Sequence, residues 1–310
     1  MRYKKEIKSM GMAVTLGRTM RGLLCMAVLV LGMPLFSACT DDEPSSNSIF
    51  GGMTIERDAF DEWLLQNYTY PYNVDFKYKY EDLESDMHYS LVPADSAKSA
   101  KLAKIIKYLW FDAYNEVVGT DFLKANAPRQ IVLIGSAAYD NTSSIVLGTA
   151  EGGLKVTLYM VNNLDDATLA DYETLTNYYF HTMHHEFTHI LNQKIPYDRA
   201  FDKISPNYVS GDWYLYEDDY ANEQGFVSAY GMSEPFEDFA EMMSLYVTKT
   251  AEDWDGLLDA AGDGAAAIRT KMAFVKEYML SSWGLDLDDL RAAVLHRAQE
   301  LANLDLTQLN

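Results

Sequence analysis

The chain has 310 residues, 48% of them hydrophobic and 13% aromatic, enough to bury a sizeable core. Its formal charge of -21 repels phosphate and sets aside nucleic acid and anionic membrane surfaces as partners. Two cysteines leave no disulfide framework to hold the fold.

The first 38 residues read as a secretory signal. Arg2, Lys4, Lys5, Lys8, Arg18 and Arg21 are opposed only by Glu6, and the apolar run from Gly22 to Phe36 follows them. That run of 15 residues falls short of the roughly 20 needed to span a bilayer. The long basic region leaves Met10, Met12 and Met20 open as starts. Nineteen basic and 45 acidic residues remain outside it, a net -26. Cys25 would leave with the signal, whereas Cys39 follows Phe36-Ser37-Ala38 in an order that resembles the lipobox of bacterial lipoproteins. Cys39 is therefore expected to be lipidated, the alternative being an ordinary cleaved signal with a free thiol. Residues 39–52 are polar and aperiodic and read as a flexible tether. Their acidic cluster resembles the surface-export signal of lipoproteins from Bacteroides-like bacteria, although a solvated linker explains it equally well.

From Met53 the sequence shows no second linker and no repeat, so 53–310 is expected to be one domain. A short helix is predicted over 55–67, and alternation of Val74, Phe76, Tyr78 and Tyr80 predicts a strand within 68–80. A long helix follows over 93–118. Strands are predicted at 129–135 and 154–161, with a weaker one at 144–148. Beyond 168 the periodic segments are helical, at about 168–193, 233–250, 265–283 and 287–303. The expected class is α+β, a small mixed sheet followed by a mostly helical half.

The chemistry is concentrated at residues 181–193, His-Thr-Met-His-His-Glu-Phe-Thr-His-Ile-Leu-Asn-Gln, which hold four of the six histidines. On a helix, His185 and His189 lie about 40° apart on one face, and Phe180, Met183, Phe187, Ile190 and Leu191 lie roughly opposite. Two imidazoles one turn apart supply two zinc ligands without bending the backbone. Glu186 then stands beside the metal as general base. His181 and His184 are expected to be supporting or packing residues, with His181 a rival ligand on the same stripe.

A catalytic zinc needs a third protein ligand. The extended pattern HExxHxxGxxH is absent, because Asn192 and Ile195 occupy its glycine and last histidine positions. The helix carrying Glu234, Glu237, Asp238 and Glu241 is the alternative source. Helical projection sets Glu237 nearest the stripe of Phe236, Ala240, Met243 and Val247, with Glu241 one turn on and Glu234 and Asp238 toward water. Its Glu237 and Glu241 resemble the gluzincin arrangement, which implies Glu237 as ligand and Glu241 as the carboxylate that orients a ligating histidine.

The His185–His189 helix, the segment Gly225-Phe226-Val227-Ser228-Ala229-Tyr230 and Glu237-Asp238-Phe239-Ala240-Glu241 together resemble the zinc-binding metallopeptidase family of Bacteroides-type lipoproteins. More narrowly, the chain is similar to the substrate import-associated zinc metallohydrolase lipoproteins. The Glu-x-Phe-Ala-Glu helix also resembles that of the anthrax lethal factor peptidase domain, where a tyrosine seven residues before the ligand assists catalysis; here that position is Tyr230. The resemblance implies a zincin-like fold and a Zn2+ site. It also implies an outer-membrane importer with its substrate-binding lipoprotein as partners, but no defined substrate; the first reading is a peptidase acting on a peptide or protein substrate. The expected location is the outer membrane, at the cell surface or facing the periplasm, held by the lipid anchor alone. Cell-wall or glycan-linked amides are a second substrate class, and a zinc-binding lipoprotein with weak or no catalysis is the non-enzymatic alternative.

Overall fold

Asp58 opens the first helix through a capping box, accepting from the Asp61 amide while Asp61 accepts from its own. This helix, α1 (Ala59–Leu64), continues through a wide turn, Leu65–Thr69, to Tyr70–Tyr72 and stops at Asn73, whose φ of 56° is left-handed. The strand predicted over 68–80 is thereby reduced to β1 (Asp75–Lys77). The reason is visible in the spacing: Phe60, Trp63, Leu64, Tyr68 and Tyr72 all turn inward at helical intervals, and true alternation begins only at Val74. The computed structural model describes residues 56–82, 88–139, 145–146, 148–151 and 154–309. The signal, Cys39 and the tether expected over 1–52 lie outside the described residues. Residues from Arg57 onward cluster as one unit.

The predicted helix over 93–118 is α2 (Ser96–Ile106), capped by Asp95, which runs through a second wide turn, Lys107–Phe111, into α3 (Asp112–Val118). A short helix that was not anticipated, α4 (Thr120–Asn126), leads to β2 (Gln130–Leu133). Then come β3 (Ala138–Tyr139), β4 (Ile145–Val146), β5 (Gly148–Glu151) and β6 (Lys155–Leu158). The main sheet has the order β1-β2-β6-β5, with β5 alone antiparallel; β3 and β4 form a separate ladder. The sheet is mixed, as expected, but helices already separate β1 from β2, because a parallel pair needs a crossover. Ile131, Leu133, Val156 and Leu158 enter the main core, and Val132 joins a smaller cluster on the other face, so the central strands are covered on both sides.

The second half supplies the site. After α5 (Asp166–Ala170), α6 (Tyr172–Leu175) passes through a third wide turn, Thr176–Phe180, into α7 (His181–Lys194). Such turns are often found beside functional residues. A stretch of short helical turns and α8 (Asp218–Glu223) leads to α9 (Pro235–Thr248), which packs along α7. Then α10 (Ala251–Ala260), α11 (Ala265–Trp283) and α12 (Leu287–Gln299) close the core, α11 and α12 covering another side of α9. No described helix is long and apolar enough to cross a membrane.

Candidate metal centre

Two helices make the site. Met183, Phe187, Ile190 and Leu191 seat α7 in the core, which leaves His181, His185 and His189 on the stripe facing α9. His185 Nε2 lies 2.8 Å from Glu237 Oε2 and 3.0 Å from His189 Nε2, and His189 Nε2 lies 3.3 Å from the same Glu237 oxygen. On its other edge, His185 Nδ1 lies 2.8 Å from Glu241 Oε1, which also meets His181 Nε2 at 2.7 Å. The second oxygen of Glu241 accepts from the Ser228 hydroxyl at 2.6 Å. Ser228 in turn receives the Gly231 amide at 3.1 Å. The rival ligand His181 is thus a partner of Glu241, and a second group, His181, His185 and Glu241, also has metal-ligand spacing.

Donor chemistry separates the two groups. A neutral His185 has one ring proton, and Glu241 Oε1 accepts it from Nδ1. Nε2 then presents a lone pair toward Glu237 Oε2 and His189 Nε2, three converging acceptors that a single proton cannot satisfy together. Tetrahedral zinc with bonds near 2.1 Å holds its ligand atoms about 3.4 Å apart. The observed separations of 2.8, 3.0 and 3.3 Å fit that set after a small outward shift. His185, His189 and Glu237 therefore suit an ion, with Glu241 as the carboxylate behind the ligating histidine.

The field of the site follows from the same contacts. Burial opposes a charge on His185, but hydrogen bonds to Glu237 and Glu241 outweigh it and push its pKa up to about 10, so with no ion bound a second proton sits on Nε2 toward Glu237, and an ion would take that proton's place. Burial would raise Glu237 and Glu241; the histidines bonded to them hold both carboxyls below the usual range instead. Glu186 makes no hydrogen bond among the described residues, and burial raises its pKa, with His185 and His189 pulling it partly back. Tyr230 sets its ring 5.7 Å from that of His185, and burial followed by the Glu237 carboxylate drives its phenol upward, so the hydroxyl stays protonated. His184 turns away to meet the Tyr114 hydroxyl at 3.0 Å inside the core, where burial pushes its pKa down to about 3.

One expectation fails. Asp238 does not point toward water but is fully buried, 2.6 Å from the equally buried ammonium of Lys271 on α11 and 2.8 Å from the Tyr208 hydroxyl. Helix α9 is flanked by α7 on one side and by α11 and α12 on others, so it buries Asp238 and Glu241 as well as its apolar stripe, while Phe236 is 42% exposed. Lys271 also donates to the Gly225 carbonyl at 2.8 Å, which ties the segment bearing Ser228 and Tyr230 to both helices. Sequence reasoning passed over Ser228 and Lys271. Lys271 had a readable signal, because it falls on the apolar stripe of Ile268, Met272 and Val275.

A mixed sheet beside a helix pair that presents two histidines and a glutamate defines a metal-binding protein of the metallohydrolase class. Residues 53–288 match the family described as "Putative zinc-binding metallo-peptidase", and the chain belongs to that family. It is similar to a crystal structure from Bacteroides caccae ATCC 43185 described in the same words. That similarity is 44% in sequence and 0.72 in TM-score, and it covers 85% of this chain and all of the other. No curated protein matches.

Proposed function

We propose that the chain is a zinc-dependent metallopeptidase of gluzincin type, in which His185, His189 and Glu237 hold the ion and Glu186 is the general base. The observation that carries this reading is the convergence of two imidazole nitrogens and one carboxylate oxygen within 3.3 Å, beside a carboxylate with no hydrogen bond of its own. When bound, zinc polarises the scissile carbonyl and acidifies the attacking water. Glu186 takes the water's proton and delivers it to the leaving nitrogen, a transfer its raised pKa favours. Tyr230, held protonated, donates a hydrogen bond to the carbonyl oxygen as charge develops there. Glu241 accepts the Nδ1 proton of His185 and so keeps Nε2 aimed at the ion, while Ser228 fixes the carboxylate.

Glu186→Gln tests the assignment, since it keeps the shape and removes the base. The variant should retain one zinc per chain and lose about 10²–10⁴-fold in peptide hydrolysis. A variant as fast as the parent would show that Glu186 is not the base.

The reading extends to location. The order Phe36-Ser37-Ala38-Cys39 supports a lipoprotein anchored at Cys39, and the acidic residues that follow, with the resemblance to import-associated metallohydrolase lipoproteins, support a place in the outer membrane, at the cell surface beside a nutrient importer. Cys39→Ser should release the protein from the membrane fraction, and unchanged association would rule that anchor out.

A further inference from the structure

Trp213 carries the aromatic surface of the site out to solvent. Its ring meets Tyr230 edge-on at 5.0 Å, and Tyr230 lies 5.7 Å from His185, so rings in file connect the metal centre to the turn Ser210–Leu215. That turn is held in place. The amides of Val209 and Ser210 donate to the carbonyls of Met232 and Ser233 at 2.8 and 3.0 Å. Ser210 takes a left-handed backbone, φ 54°, which a side-chain-bearing residue keeps only when its surroundings impose it. Tyr214, Leu215 and Tyr230 are 54%, 66% and 37% exposed, a concentration of open apolar surface beside a reactive centre.

The charge along this stretch of the chain has one sign. Between Ile204 and Thr248 the chain has nine carboxylates and no Lys, Arg or His. Glu237, Glu241 and Asp238 are engaged by histidines and Lys271, and Asp218 accepts the Ala229 amide. Asp212, Glu217, Asp219, Glu223 and Glu234 are exposed and have no basic partner among the described residues. The nearby exposed ring of Phe236 is already covered by the Arg199 guanidinium at 4.6 Å. Among the described residues no cation lies over Trp213, Tyr214 or Tyr230. The half-buried ring of Trp213 and the exposed rings of Tyr214 and Tyr230, in a stretch of chain whose unpaired charges are all carboxylates and with no cation over them, are complementary to a cation from outside.

Resting on the peptidase reading for the nature of the ligand, we propose that the turn from Ser210 to Tyr216 is a substrate subsite for a cationic side chain. Lysine or arginine would stack on Trp213 and pair with Asp212, which makes basic peptides the substrate class. An apolar side chain or a sugar ring would use the same rings but gain nothing from the carboxylates.

The test reads binding without turnover. Zinc-loaded protein carrying Glu186→Gln is titrated by fluorescence anisotropy with three labelled peptides that differ at one residue: lysine, norleucine or glutamate. The lysine peptide should bind about tenfold more tightly than the norleucine one at low salt, with the advantage shrinking as salt rises. Trp213→Ala and Asp212→Asn should each remove most of that preference. Equal affinities, tighter norleucine binding, no binding by any peptide, or a preference surviving both substitutions would overturn the subsite. The parent chain, assayed in parallel for cleavage, separates the two claims. Lysine preference without cleavage contradicts the peptidase reading alone, and cleavage without the preference contradicts the subsite alone.

Discussion

Replacing Gly225 by alanine loads two separate penalties onto one position. Its φ of 86° is a conformation that a Cβ disfavours by about 1–2 kcal/mol. An added Cβ would also stand 2.7 Å from the Cβ of Ala267 and 2.8 Å from Ser205 Oγ, where relaxed contacts are about 3.5–4.0 Å. Ala267 is fixed to the backbone of α11 and cannot rotate away. Ser205 can rotate only by giving up its 3.1 Å bond to the Gly225 carbonyl, a loss of about 1 kcal/mol. Overpacking of this kind costs about 1–3 kcal/mol, so the total is about 2–5 kcal/mol. Urea unfolding followed by circular dichroism measures it. Ala267→Gly removes the overlap with the helix, leaving φ and the Ser205 contact untouched, so a double-mutant cycle should show a coupling of about 1–2 kcal/mol, part of the overpacking cost. A loss below about 1 kcal/mol for Gly225→Ala, or no coupling to Ala267, would refute the reasoning.

Lys271→Met leaves the Asp238 carboxylate buried without its cation and should cost about 3–5 kcal/mol in the same unfolding assay; a loss under about 1 kcal/mol would show that the pair does not brace the fold. Glu237→Ala should abolish tight zinc binding while Glu234→Ala leaves it unchanged, as measured by competition with a zinc-binding dye. Ser228→Ala frees one oxygen of the carboxylate behind His185 and should weaken zinc binding by about 10–100-fold, and an unaltered affinity would show that this hydrogen bond is idle.

The histidine-bearing helix was legible because its histidines sit one turn apart above an unbroken apolar face, and α11 was delimited residue for residue by its pattern from Ala265 to Trp283. Tyr68 and Tyr72 misled because aromatic residues favour strands, yet in the chain they extend the helical stripe begun by Phe60. Asp238 misled for a different reason. A helical wheel assumes one buried face, and α9 is covered on several, so an acid projected to water lies in the core beside a lysine from 33 residues further along the chain. The role of Ser228 and the place of Trp213 were beyond pattern reading. Both residues reach the centre through irregular turns, where neither a period of 2 nor one of 3.6 says which way a side chain points.

Anomalous diffraction at the zinc edge, from crystals grown with the metal, puts the central claim to its most direct test. One peak is expected within bonding distance of His185 Nε2, His189 Nε2 and Glu237, with Glu241 held behind His185 and Glu186 free to reach the reaction. A peak between His181, His185 Nδ1 and Glu241, or no peak in zinc-saturated crystals, would contradict it.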